Sequence, residues 1–144
     1  MDNLIFFSRE GLFHVLDWNA YDHILFLIAL AVVYEFGNWK KVIWLISLFT
    51  IGHTLSLILA AYKIVSVDSK WIEFLIPVTI IVTAIFNIFY VRKSTKQLKT
   101  NINLFFALFF GLIHGLGFSS YFRILIGKSE SKFIPLLEFA LGVE

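Results

Sequence analysis

The chain has 144 residues, 59% of them hydrophobic and only 15% charged, with a mean hydropathy of +0.84. Soluble domains carry about 25% charged residues, so this balance excludes a water-soluble globule and points to lipid. The formal charge of +2 comes from loop lysines with no interleaved aromatics, which favours anionic headgroups over nucleic acid, and the absence of cysteine excludes disulfides and thiolate metal sites.

Residues 1–18 are too short and too mixed to span a bilayer and read as an interfacial amphipathic segment. Leu12, Val15 and Leu16 recur at helical spacing, and Trp18 suits the headgroup level. Glu10 and Asp17 stand at i−4 and i+3 from His14, within side-chain reach. A carboxylate there would fix the imidazole tautomer, as the outer shell of a metal site requires, so His14 and Asp17 are accessory candidates. The alternative is a surface helix whose histidine meets water.

Residues 19–144 read as a transmembrane helical domain. The first span covers about 19–36, with Asn19 as N-cap and Gly37-Asn38 as its end. Asp22 and His23 fall in its first turn, ahead of the apolar run 24–34. An ionisable group within a bilayer costs roughly 2.5–3.5 kcal/mol, so this pair is a site candidate by default. Its bland alternative is a first-turn dipole partner beside a hydrogen-bonded core histidine.

The second span, about 39–62, carries Phe49-Thr-Ile-Gly-His53-Thr-Leu-Ser56, in which Thr50, His53 and Thr54 share a face. Helix packing explains the threonines well and His53 poorly. The third span, about 70–91, has Glu73 in its first turn and Pro77 soon after. The strongly basic loop 92–99 leads to the fourth span, about 101–120, where Gly111 and Gly115 form a GxxxG face beside His114 and the helix is expected to kink or stop near Gly117. A fifth apolar segment, 132–144, holds Glu138 and Glu144. Its 13 residues would reach about 20 Å at 1.5 Å per residue, short of a core of about 30 Å, so the helix is expected to continue past Glu144.

The fold class expected is therefore all-α: a polytopic bundle with an interfacial N-terminal helix, four full spans and a truncated fifth. Laid antiparallel, Asp22, His23, His53, Glu73, His114 and Glu138 fall in one half of the bilayer. The cations tie between the two sides, Lys40, Lys41, Arg92, Lys93, Lys96 and Lys99 against Arg9, Lys63, Lys70, Arg123, Lys128 and Lys132. The density of the 92–99 cluster places that loop inside and the N-terminus outside.

Several of these stretches, Asp22-His23-Ile-Leu-Phe, Phe49-Thr-Ile-Gly-His53, Phe110-Gly-Leu-Ile-His114-Gly-Leu-Gly-Phe and Leu137-Glu138-Phe-Ala-Leu-Gly-Val-Glu144, resemble the HupE/UreJ family of bacterial membrane proteins. The family signature places five residues between a histidine and Asp-His; here seven separate His14 from Asp22. The resemblance implies a multi-pass protein of the bacterial inner membrane that serves as a nickel or cobalt permease.

Three functions follow for test. The first is transport or binding of a divalent transition metal (Ni, Co or Zn), with Asp22, His23, His53 and His114 as ligands and Glu138 and Glu144 as charge compensation. Nitrogen and oxygen donors without sulfur suit those ions and Mn²⁺ better than Cu⁺. Thr50, Thr54 and Glu73 join His14 and Asp17 as accessory groups. The second is an intramembrane metal-dependent hydrolase, disfavoured because no HExxH is present. The third is a structural membrane subunit, which leaves the histidines unexplained. The oligomeric state is left open.

Overall fold

A computed structural model describes residues 2–19, 21–91, 96–127 and 132–144. Among these residues all regular structure is helical: α1 (Asp2–Val15), α2 (Asp22–Ala31), α3 (Trp39–Ala61), α4 (Ser69–Val91), α5 (Lys96–Ile126) and α6 (Phe133–Val143), with a short 3₁₀ turn at Phe36–Asn38. Three of them, α3, α4 and α5, are long and apolar enough to cross a membrane.

This differs from the four full spans expected. The first apolar run stops at Ala31 as a 10-residue helix, about 15 Å long. Val32 and Val33 follow in a turn, closed by Tyr34 N donating to Ala31 O at 2.9 Å. Glu35 then extends, at φ −73° and ψ 152°, and the 3₁₀ turn runs straight into α3. Gly37-Asn38 thus opens the next helix rather than closing the last one. Tyr21, not Asn19, is the N-cap residue of α2, and no side chain caps it.

Long helices α3 and α5 form the axis of the bundle. A side chain on Gly111 would strike the backbone of Phe49 and His53, one on Gly115 would strike Ser56 and His53, and one on Gly52 would strike Leu108 and Leu112. These contacts advance together along both chains, so α3 and α5 run parallel with their backbones in contact. The kink expected near Gly117 is absent, and α5 continues to Ile126. Gly117 instead makes room for Ile72 and Ile76 of α4. At its other end α5 begins at Lys96, so part of the expected 92–99 loop is helix; residues 92–95 of that loop and 128–131 of the next lie outside the described residues.

Helix ends are closed by specific bonds. At the end of α3, Lys63 takes φ +59°, Ile64 N donates to Leu59 O at 2.8 Å and Lys63 N donates to Ala60 O at 3.0 Å, a Schellman cap built without glycine. Lys132 Nζ also donates to Ala61 O at 3.1 Å, which ties the start of α6 to this cap.

The short helices surround one end of the axis. On α2, Phe26 stacks on Phe110 of α5, with centroids 3.6 Å apart and planes within 7°. Asn87 of α4 donates to Ala29 O of α2 at 2.7 Å, so a buried amide holds these helices together. Helix α1 lies on α6, where Gly11 and Gly142 bring the backbones together and Ser8 Oγ donates to Glu138 O at 3.0 Å. Most of the surface of α4 is left apolar and outward-facing, with Phe74, Ile81, Val82, Ile85, Ile88 and Phe89 exposed, as lipid solvation demands.

Candidate metal centre

Four imidazoles meet where α1, α2, α3 and α5 converge. His53 is 0% exposed, His23 1% and His114 3%, while His14 is partly buried. Their ring centroids stand 3.9 Å apart for His23 and His114, 4.6 Å for His14 and His23, 5.7 Å for His14 and His53, 6.2 Å for His23 and His53, and 6.4 Å for His53 and His114. His23, His53 and His114, expected at one depth, thus lie close together, and His14 joins them.

Position follows from local structure. Asp22 and His23, adjacent in the first turn of α2, point into the same wall. The carboxylate of Asp22 reaches two imidazoles, with Oδ1 3.3 Å from His23 Nδ1 and Oδ2 3.3 Å from His114 Nε2, and Oδ1 also accepts from the His23 backbone N–H at 2.9 Å. His53 and His114 approach because the glycine contact places their helices backbone to backbone. His14 arrives on α1, which its packing on α6 holds over the cluster.

Potential ligand atoms form two groups, each within 4.8 Å of one another: His14, His23 and His53, and Asp22, His23 and His114. His14 Nε2, both nitrogens of His23, both of His53 and Nδ1 of His114 are buried without a hydrogen-bond partner in the chain. Buried polar atoms are nearly always satisfied, and each orphan costs about 1–3 kcal/mol. So many in one place describe a site that gives up stability unless something supplies the missing partners. On α1, outside the three membrane-spanning helices, burial pushes the His14 imidazole down to about 3, and the nearby His23 and His114 rings add to this while Asp22 opposes it. At neutral pH His14 is therefore a free base, the form that binds metals.

A wall of aromatic rings encloses the cluster. Phe118 lies 3.8 Å from His14, Phe110 4.8 Å from His114, Phe49 5.7 Å from His23 and Phe139 6.1 Å from His53, between centroids. Sequence reasoning passed over these residues, although Phe49–His53, Phe110–His114 and His114–Phe118 are all i, i+4 pairs that share a helix face.

Other expected residues lie around the cluster rather than in it. Asp17 and Glu10 line a cavity of about 860 Å³ that also reaches His14, Trp18 and Phe118. Asp17 accepts from the Asn19 backbone N–H at 2.8 Å. Glu73 lines a second cavity, about 270 Å³, with Asp22 and Pro77; Pro77 has no N–H to give the Glu73 carbonyl. Thr50 is buried one turn before His53, its hydroxyl without a partner, and Thr54 is half-buried beyond it. Glu138 and Glu144 stand outside both groups: Glu138 keeps a buried, unpaired Oε2 on α6, and Glu144 accepts from the Ser47 hydroxyl.

In comparisons with known proteins, the family model described as HupE / UreJ protein matches residues 1–144, the whole chain. No curated protein and no solved structure matches it.

Proposed function

This chain belongs to the HupE/UreJ family, and from that premise we propose that it binds a divalent first-row transition-metal ion in the histidine cluster and carries it through the membrane. Nickel and cobalt are the substrates favoured, on the resemblance of its motifs to the family's. The observation that carries the reading is the concentration of unpartnered imidazole nitrogens around one carboxylate. Each neutral imidazole offers one lone pair, and a cation can gather several of these together with a carboxylate. Asp22, His23, His53 and His114 act as ligands, and His14 is a ligand rather than an outer-shell group.

The charge balance suits a carrier. Neutral imidazoles and one carboxylate leave a bound dication with net positive charge in an apolar surround, which favours its return to water over permanent residence. Glu10, Asp17 and Glu73, in the two cavities beside the cluster, attract the cation and receive it hydrated. We place the protein in the bacterial cytoplasmic membrane with the N-terminus outside, so that these cavities face the metal supply.

Uptake of radioactive Ni²⁺ or of Co²⁺ into vesicles holding the purified protein tests the reading. Wild type should load the vesicles, and His53→Ala should reduce loading to the level of protein-free vesicles while still inserting. Wild-type uptake no faster than in protein-free vesicles would refute it.

A further inference from the structure

The two ligand groups have one member in common. His14, His23 and His53 make one set and Asp22, His23 and His114 the other, and His23 belongs to both. Its ring is buried, with Nδ1 turned to Asp22 at 3.3 Å and Nε2 left without a partner. Each set also has its own opening: the larger cavity reaches His14 with Glu10 and Asp17, and the smaller one reaches Asp22 with Glu73. The two cavities adjoin at Asn19, which lines both.

We propose that the cluster holds two ion positions, one in each set, which share His23 and are filled one at a time. This rests on the metal-binding reading and adds how the ion is passed within the site. A neutral imidazole carries one N–H and one free lone pair, so at any moment His23 can serve one position only. An ion in the carboxylate set takes the Nδ1 lone pair, and the ring proton then sits on Nε2. An ion in the three-histidine set takes the Nε2 lone pair, and the proton sits on Nδ1, where Asp22 Oδ1 accepts it. Transfer between the positions thus releases one proton to water from one ring nitrogen and takes up one from water at the other, leaving the ring neutral. Two dications at once would need the ring to lose its last proton, and they would repel strongly across it in a medium of low dielectric. The shared ring makes occupation of the two positions alternate.

Co²⁺ titration of the purified protein in lipid nanodiscs, followed by its visible absorption, tests this. Wild type should bind one Co²⁺ per chain. His14→Ala and Asp22→Ala should each still bind one, within about tenfold of wild type, and with spectra that differ because one keeps the carboxylate set and the other the three-histidine set. The double variant, which breaks both sets, should lose at least about 100-fold in affinity, as should His23→Ala. Two Co²⁺ per wild-type chain, identical spectra for the two single variants, or either single variant as weak as the double, would overturn the proposal while leaving metal binding intact. Wild type that binds no Co²⁺ would instead remove the reading on which it rests.

Discussion

His53 is the most deeply enclosed residue of the cluster, 0% exposed, with neither ring nitrogen bonded to the chain. In the metal-free protein it is a liability, and an apolar residue of similar volume should relieve it. His53→Leu is expected to raise the stability of the metal-free protein by about 1–3 kcal/mol, and to make the rise in melting temperature that Co²⁺ gives smaller than in wild type, because only the Asp22, His23 and His114 set remains. Thermal melts with and without Co²⁺ provide the check; a metal-free variant no more stable than wild type would mean that the ring already has partners.

His14 adds a pH signature at the same scale. Its folded-state value, about 3, lies below the ordinary 6.5, so the unfolded chain binds its proton first as pH falls. Stability from this group is complete above pH 6.5 and drains between 6.5 and about 3, by up to about 1.4 kcal/mol per pH unit. Melts of metal-free wild type and His14→Gln between pH 7.5 and 4.5 should diverge on the acid side, with the variant less sensitive. Parallel curves would contradict the burial that sets this value. His14 was legible in the sequence only as an accessory group, because its approach depends on α1 packing against α6, a contact across more than a hundred residues that no local pattern encodes.

Among the elements, the α3–α5 contact decides whether the cluster exists. Gly111→Val would drive a side chain into the Phe49 and His53 backbone, which cannot give way as a flexible side chain can. It should cost about 3 kcal/mol or more and reduce the yield of monodisperse protein. Gly37→Ala, with nothing within 4 Å of the added carbon, is the neutral control. Should Gly111→Val melt like Gly37→Ala, the helices are not packed backbone to backbone.

These elements also show where pattern reading succeeds. Spans expected at 39–62 and 70–91 appear as Trp39–Ala61 and Ser69–Val91, because long uninterrupted apolar runs with clear polar ends leave little choice of register. The run from 24 to 34 is equally apolar but shorter, and its helix ends at Ala31, before it can span. Gly115 and Gly117 carry the ambiguity of all small residues in membrane helices: the same absence of a side chain that suggests a kink also permits close packing, and only the neighbours at Ser56 and Ile72 decide.

At the scale of the whole molecule, three long helices and three short ones among the described residues divide the labour. The long ones supply passage through lipid, and α1, α2 and α6 crowd one end of α3 and α5 to close the histidine cluster. Depth counting along antiparallel helices foresaw that His23, His53 and His114 would meet. It also brought Glu138 to the same level, yet depth fixes height and not direction, and Glu138 belongs to neither ligand group.

The central claim is that these imidazoles bind a divalent transition metal directly. X-ray absorption at the nickel edge of Ni²⁺-loaded protein in nanodiscs measures the ligands of the ion itself. Two or three imidazoles should appear through their outer-shell scattering, with metal–nitrogen distances of about 2.0–2.1 Å, and one imidazole fewer in His23→Ala. An oxygen-only shell with no imidazole scattering would contradict the account.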